Sequence, residues 1–286
     1  MSIGCIYALV ALGFVLIYKA TEVVNFAQGE LMMLGAFLAY TFISILGWNY
    51  WVGAAAAIGC MFVMGNMVDR VILRPVLGQP QFAIVMVTIG FGYIARSAAS
   101  MMPGWGTETY AISTPFSSEG MAIIPESMGS LVIAQTDLSV IVATILFCAI
   151  LYGFFTYTKL GLAMQAASQN QLASYYMGIP VKSVFSMIWG ISAAVAAAAG
   201  ILLAPTTLID TSMGFIGLKA FPAAVLGGFG SIPGAVVGGV IIGIIETLAG
   251  FYLPPGFKNV AAYVVLLIVL VVRPQGLFGQ KTGKRV

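Results

Sequence analysis

Long apolar runs alternate with short polar breaks along almost the whole chain. A run of about 20 apolar residues forms a helix long enough to cross the hydrocarbon core of a membrane. Eight runs predict such helices, at residues 3–18, 31–46, 51–68, 82–95, 138–157, 184–204, 232–253 and 260–272. A ninth run, at residues 218–230, is interrupted by glycine and proline and predicts a short or broken helix. The pattern indicates an all-α, polytopic transmembrane protein that forms a single domain over residues 1–286.

The composition agrees with this fold class. Hydrophobic residues make up 60% of the chain and charged residues only 7%, whereas soluble domains contain about 25% charged residues. The apolar runs are continuous rather than alternating, which excludes a transmembrane β-barrel. A helix satisfies its own backbone hydrogen bonds in lipid, so continuous runs of this kind cross as helices.

Several chemical functions are excluded by the residue types. The chain has no histidine, and its three cysteines (Cys5, Cys60 and Cys148) are scattered through apolar runs, so we predict no metal site. No phosphate-binding loop of the G-x-x-x-x-G-K-[ST] type occurs, so we predict that the chain binds no cofactor and is not an enzyme. The net charge of +3 is small and dispersed, which argues against nucleic-acid binding.

One polar segment, residues 159–182, separates two predicted spans and is longer than a simple turn. Its middle, residues 162–176, is rich in Ala, Leu, Met and Gln, which favour a helix, and Gly178 and Pro180 predict the end of that helix. Three apolar side chains recur at helical spacing on one face: Leu172, Tyr175 and Tyr176. Two interpretations stay open: a helix that docks a partner protein, or a helix that lies on the membrane surface or on its own chain.

The distribution of charge predicts the orientation of the helices. Basic residues mark the cytoplasmic side of a membrane protein, and here they gather at a few polar breaks: Arg70 and Arg74, Lys159 and Lys182, then Arg273, Lys281, Lys284 and Arg285. The polar excursion at residues 97–137 has no basic residue and carries four acids: Glu108, Glu119, Glu126 and Asp137. These positions predict that residues 159–182 and the C-terminus are cytoplasmic and that the N-terminus lies outside, provided that the run at 218–230 crosses in some broken form.

The break between the first two spans, KATEVVNFAQGE at residues 19–30, concentrates polar side chains. Polar groups at membrane depth are tolerated where they line a cavity or pair with protein, and broken helices commonly build substrate paths. The candidates for lining such a path are Asn25, Phe26, Gln28, Gly29 and Glu30. The alternative is a plain cytoplasmic turn in which Lys19 and Glu22 pair.

Features of the C-terminal half allow both structural and functional interpretations. Four glycines form two small-xxx-small pairs that predict helix packing, within the chain or with another subunit: Gly234 with Gly238, and Gly239 with Gly243. Glu246 is the only acid of that span and indicates either a structural contact or an ion or proton site. Asp210, in a predicted loop at residues 206–217, fits a capped turn or an outer docking surface.

Three segments together resemble one known family. GCIYALVALGFVLIYKATEVVNFAQGELMMLGAF, with an N-F-A-x-G-[DE] signature at residues 25–30, is similar to the opening of the LivH-type permeases of branched-chain amino acid ABC importers. LGLAMQAASQNQLASYYMGIPVKSVF resembles the cytoplasmic coupling segment of that family. GLKAFPAAVLGGFGSIPGAVVGGVIIGIIETLAG and RPQGLFG resemble its C-terminal block and its ending. The signature more commonly has His where this sequence has Gln28.

The resemblance implies the ABC importer permease fold in a bacterial inner membrane, with a periplasmic N-terminus. Besides lipid, it implies three kinds of partner: a homologous second permease that forms a heterodimer with this chain, two cytoplasmic ATPase subunits that hold ATP and Mg²⁺, and a periplasmic amino-acid-binding protein. The excursion at 97–137 would be periplasmic, and the segment 159–182 would dock on an ATPase subunit. The residues implied in this docking are Gln165, Ala166, Ala167, Ser168, Gln169, Asn170, Leu172, Tyr175, Tyr176 and Gly178.

Other functions stay open at this point. Relatives within the family carry urea or short amides. A secondary transporter or channel would instead use Glu30 or Glu246 as its coupling site and would need no ATPase.

Overall fold

The computed structural model describes residues 1–76, 79–117, 120–122, 132–254 and 256–279. Eleven α-helices lie in these ranges: α1 (Ser2–Thr21), α2 (Gln28–Tyr40), α3 (Tyr50–Val68), α4 (Gln81–Met101), α5 (Gln135–Tyr157), α6 (Lys159–Gln169), α7 (Gln171–Tyr176), α8 (Val181–Thr207), α9 (Gly214–Gly227), α10 (Ile232–Tyr252) and α11 (Phe257–Val272). Two three-residue strands, β1 (Gly120–Ala122) and β2 (Val132–Ala134), pair antiparallel between α4 and α5.

Two helices continue in tighter or wider turns before they end. A π-helical stretch, Thr41–Ile45, follows α2. A second one, Asp69–Leu73, follows α3 and leads into a 3-10 turn at Arg74–Val76. With these extensions, seven helices of the described chain are long and apolar enough to cross a membrane, whereas α9 and α11 are shorter. The predicted count of eight spans is therefore approximate, because the final apolar run forms a helix of only 16 residues.

Three boundaries differ from the predicted ones, each for a physical reason. Helix α4 continues past Ala95 to Met101, because a polar side chain ends an apolar run without ending the backbone helix. For the same reason α8 runs through Pro205 to Thr207, which shortens the predicted loop at residues 206–217. The excursion predicted at 97–137 accordingly loses residues at both ends, since α5 begins at Gln135.

The segment at 159–182 holds two helices, so the prediction of one helix over 162–176 is wrong. Asn170 separates α6 from α7 in an extended conformation (φ −153°, ψ 101°). Its side-chain oxygen accepts a hydrogen bond from the Ala173 backbone N–H at 2.9 Å, which caps α7. An asparagine that caps a helix satisfies its own preference for non-helical backbone, and this explains the break.

Helices α1 and α8 form the buried centre of the bundle, with α2, α9 and α10 around them. The four glycines of α10 lie on two faces of that helix. A Cβ atom at Gly234 or Gly238 would collide with the backbone of α9, and a Cβ atom at Gly239 or Gly243 with the backbone of α1. Within this chain, these small-xxx-small pairs therefore let α10 approach two neighbours closely.

The outer helices α3, α4 and α5 bury less than a third of their apolar windows within the chain. Their remaining surface is free for lipid or for another subunit. Some charges used to predict the orientation lie outside the described residues: Glu119, Glu126, Lys281, Lys284 and Arg285.

Candidate functional site

The break between α1 and α2 re-enters the bundle. Glu22 ends α1 in a left-handed conformation (φ 57°), and the chain then returns alongside α1. Helix α2 begins at Gln28, whose side-chain amide lies against Gly13. Gly13 stands eight residues before Thr21, or about 12 Å along the helix axis. The first turn of α2 therefore lies at membrane depth, and the alternative of a plain cytoplasmic turn is wrong.

The predicted pairing of Lys19 with Glu22 is also wrong. The three ion pairs of the described chain involve other residues. Lys19 instead lies beside α6, near Gln165 and Ser168.

Two amide side chains of the break are buried and satisfied within the chain. Asn25 Nδ2 donates to Gln28 Oε1 at 3.2 Å, and Gln28 Nε2 donates to the Ser192 carbonyl of α8 at 3.3 Å. Ser192 Oγ lies 3.1 Å from Gln28 Oε1 and 3.0 Å from the Gly13 carbonyl. This network joins α1, α2 and α8. Among the path candidates, Asn25, Gln28 and Gly29 are buried, while Phe26 and Glu30 are partly exposed.

Glu30, in the first turn of α2, forms an ion pair with Arg96 of α4. Arg96 Nη2 donates to Glu30 Oε1 at 2.6 Å. The guanidinium carbon lies 4.0 Å from the centre of the Phe215 ring and 6.0 Å from that of Tyr93. Arg96 Nε is buried and has no hydrogen-bond partner among the described residues. Arg96 is a residue that the sequence analysis missed, because the predicted fourth span ended at Ala95.

The N-termini of α2 and α9 meet beside this ion pair. A Cβ atom at Gly29 would collide with the Gly214 carbonyl, and one at Gly217 would collide with the Gly29 backbone. A Cβ atom at Gly214 would lie 2.9 Å from Arg96 Nη2. Glycine is thus needed at these positions, because the two helix ends and the Glu30 and Arg96 side chains lie too close together for a Cβ atom. Two discontinuous helices that begin inside the membrane are typical of substrate sites in transporters.

A second ion pair joins α9 to α10. Lys219 Nζ of α9 donates to Glu246 Oε1 of α10 at 3.0 Å. The other Glu246 oxygen accepts a hydrogen bond from the Tyr7 hydroxyl of α1, and Lys219 also donates to Asn259 Oδ1 of α11 at 2.8 Å. Glu246 is therefore not isolated. These contacts favour its structural interpretation, because every charged group has a partner.

Asp210 lies in the loop between α8 and α9, and its side chain stabilises a turn. Asp210 Oδ1 accepts hydrogen bonds from the backbone N–H and the hydroxyl of Ser212, both at 2.7 Å. The neighbouring Ile209 exchanges backbone hydrogen bonds with Tyr110 at 2.9 and 2.8 Å. This ties the α8–α9 loop to the excursion between α4 and α5.

The helix pair of α6 and α7 has one side packed on the chain and one exposed side. On α6, Ala167 is buried, and Gln165 Nε2 donates to the Phe155 carbonyl of α5 at 2.7 Å. On α7, Leu172, Tyr175 and Tyr176 are exposed, together with Met177, which the sequence analysis did not include. Gly178 ends α7 with a positive φ of 80°. Of the residues implied in docking, those on α7 present apolar surface, whereas Gln165 and Ala167 hold α6 to the chain.

An open groove of about 860 Å³ lies beside α7. Three basic residues of its wall come from two separate breaks: Arg70, Arg74 and Lys182. Arg74 Nε lies 3.3 Å from Asp69 Oδ2, and Arg74 Nη2 donates to Ser186 Oγ at 2.6 Å and to the Lys182 carbonyl at 2.8 Å. Ser186 Oγ in turn lies 2.6 Å from Asp69 Oδ2. The network joins the ends of α3 and α8 next to α7.

Comparison with known proteins gives matches over the full length. Residues 1–272 match the family described as branched-chain amino acid transport system, permease component. The high-affinity branched-chain amino acid transport system permease protein LivH of Salmonella typhimurium is 32% identical over 303 residues, covering 100% of this chain and 95% of the relative. The corresponding permease protein BraD of Pseudomonas aeruginosa is 32% identical over 297 residues with the same coverage. No solved structure shows a significant match.

Proposed function

Because the chain belongs to the permease family of branched-chain amino acid transport systems, we propose that it is the membrane-spanning subunit of an ATP-driven importer of branched-chain amino acids. The observation that carries this proposal is the 32% identity to LivH along 100% of the chain. The chain is a transporter component and not an enzyme, so the substrate crosses without chemical change, by alternating access.

Partner subunits follow from this proposal. A homologous second permease would complete the membrane part, a periplasmic binding protein would deliver the amino acid, and two cytoplasmic ATPase subunits would hold ATP and Mg²⁺. The N-terminus would be periplasmic and the C-terminus cytoplasmic. The contact of Arg74 with the Lys182 carbonyl supports this orientation, because it brings two basic breaks to one end of the bundle, as a cytoplasmic end requires.

Helix α7 would dock on an ATPase subunit. Its support is a cluster of exposed apolar side chains on a polar segment: Leu172, Tyr175, Tyr176 and Met177. The Gln171 side chain donates to the Ala20 carbonyl at 3.3 Å, which ties α7 to the inner end of α1. A movement of α7 would therefore reach the break where α2 begins. Phe26 and Glu30, the partly exposed residues of that break, would line the substrate path.

A secondary transporter is the weaker candidate. Its coupling site would be an acid that exchanges an ion or a proton. Glu30 and Glu246 each form an ion pair with a basic side chain of this chain, so both carboxylates already have a partner of opposite charge.

A substitution on α7 tests the proposed coupling. Tyr176→Asp places a charge on the apolar cluster, at a residue that is 78% exposed, so the fold should not change. Tyr252→Asp is the matched control, since Tyr252 is 83% exposed at the opposite end of the bundle. We expect Tyr176→Asp to abolish co-purification of the ATPase subunits and leucine uptake, and Tyr252→Asp to retain both. Equal behaviour of the two variants would contradict the coupling role of α7. Ala167 is unsuitable for this test, because it is buried and a charge there would disturb folding.

A further inference from the structure

The ion pair between Glu30 and Arg96 lies within the membrane-spanning part of the bundle. Ile84 of α4 lines the same small cavity as Thr21, the last residue of α1. Arg96 follows Ile84 by twelve residues, which is about 18 Å of helix. The hydrocarbon core is about 30 Å thick. Ionisable residues at such depth are rare and commonly mark a substrate or ion path.

This ion pair differs from the one between Lys219 and Glu246 in its unused hydrogen-bonding capacity. Lys219 and Glu246 have additional partners in Asn259 and Tyr7. Arg96 has five N–H donors and donates one hydrogen bond to a residue that the structure describes, namely Glu30. Its buried Nε has no partner in the described chain, which is unfavourable. The guanidinium can therefore donate hydrogen bonds to a second carboxylate in addition to that of Glu30.

The groups around the ion pair provide contacts for the side chain, the carboxylate and the ammonium group of an amino acid. The rings of Phe215 and Tyr93 are 51% and 64% exposed and lie against the guanidinium, where they offer apolar surface for a branched side chain. The N-termini of α2 and α9, at Gln28 and Gly214, add positive dipole ends beside Arg96, which favour a carboxylate. Glu30 supplies the opposite charge for an ammonium group.

Resting on the proposed function, we infer that Glu30 and Arg96 form the zwitterion site of the translocation path. As an amino acid passes, its α-carboxylate binds Arg96 and its α-ammonium binds Glu30, so that four charges neutralise one another at a depth where a lone charge is unfavourable. Arginine suits this role because its planar donors match a carboxylate. After release, the Glu30–Arg96 pair leaves no uncompensated charge in the membrane.

The test uses the complete transporter, purified with its ATPase subunits and reconstituted into liposomes. Glu30→Gln/Arg96→Gln removes both charges but retains hydrogen-bonding side chains. We expect maximal L-leucine uptake to fall by about tenfold or more, the change that corresponds to loss of about 1.4 kcal/mol of stabilisation. The ATPase activity stimulated by the loaded binding protein should persist, because the nucleotide cycle does not use the zwitterion site.

The matched control is Lys219→Gln/Glu246→Gln, which neutralises the other intramembrane ion pair. When both are normalised to the amount of folded protein, its leucine uptake and its ATPase activity should keep the wild-type ratio. Arg96→Lys is a milder variant that keeps the charge and removes the planar donors, so it should lower uptake while retaining the fold. If the double glutamine variant does not fold, Arg96→Lys tests whether the ion pair is needed for uptake.

Three outcomes overturn the inference. Uptake at the wild-type level in Glu30→Gln/Arg96→Gln, or in Arg96→Lys if the double variant does not fold, shows that the pair is not needed for passage. A parallel loss of uptake and ATPase activity assigns the pair a structural role. A wild-type complex that moves no leucine overturns the proposed function together with this inference, whereas the first two outcomes leave the proposed function intact.

Discussion

Removal of Lys219 should destabilise the protein more than removal of its partner Glu246. The Glu246 side chain is 3% exposed and the Lys219 side chain 22%. In Lys219→Met, a carboxylate stays buried with only the Tyr7 hydroxyl as a partner. In Glu246→Gln, the ammonium group keeps Asn259 at 2.8 Å and has some access to solvent. The two single variants therefore leave very different groups behind.

The expected magnitudes follow from this asymmetry. Removing one partner of a buried ion pair costs about 3–5 kcal/mol, and Lys219→Met should approach this range. Glu246→Gln should cost about 1.5–3 kcal/mol, the range for one hydrogen bond to a charged group. The double variant leaves no buried carboxylate, and the glutamine amide that replaces the carboxylate can still accept a hydrogen bond from Tyr7. Its cost should therefore be clearly smaller than the sum of the two single costs.

The measurement is the free energy of unfolding in mixed detergent micelles for the wild type, both single variants and the double variant. Lys258→Met serves as the control, because Lys258 is an exposed lysine on α11 that forms no ion pair with any residue that the structure describes. We expect Lys258→Met to change the unfolding free energy by less than about 0.5 kcal/mol. Equal costs for the two single variants, with an additive double variant, would refute the argument from burial.

Three further predictions concern packing and polar contacts. Gly239→Val should lower the free energy of unfolding by about 1–3 kcal/mol, because its side chain would meet the α1 backbone. The control Gly59→Val has open space around it and should change the thermal unfolding temperature little. Gln28→Leu should cost about 1–3 kcal/mol by leaving buried polar partners unsatisfied, and Gln28→His should unfold at a higher temperature than Gln28→Leu because imidazole keeps a donor and an acceptor. Ser186→Ala should weaken the contact between α3 and α8 by about 1 kcal/mol, and greater protease sensitivity at Arg74 would check this; unchanged cleavage would contradict it.

The membrane-crossing helices could be predicted because lipid imposes one requirement on all of them. Each apolar run of sufficient length had to satisfy its own backbone, so α1, α3, α5, α8 and α10 were predicted within a few residues. The end of α4 could not be predicted in this way. Arg96 is paired with a residue 66 positions away, and hydropathy along a single segment contains no information about such a partner.

The same reason explains the errors in the candidate site. The charge of Glu246 was visible, but its partner Lys219 lies 27 residues away on a helix that was predicted as short or broken. The break before α2 could not be distinguished from a turn by sequence, because its polar residues are neighbours in the chain, whereas their partners Ser192 and Arg96 come from distant helices. The capping role of Asn170 could not be predicted, because the residues on both sides favour a helix. The extended backbone at Asn170 is evident only in the structure.

Several polar residues of the membrane interior lie around α9, one of the two short helices of the central group. Its 14 residues extend about 21 Å, which is less than the hydrocarbon core, so its terminal backbone groups cannot all reach water. At its N-terminus lie the Glu30–Arg96 pair and the Asp210 turn. At its C-terminus, the backbone N–H groups of Leu277 and Phe278 donate to the last two carbonyls of the helix at 2.8 and 3.2 Å. Helix α9 is thus shorter than the hydrocarbon core, and the charged pair beside its N-terminus lies where a zwitterionic substrate would need one.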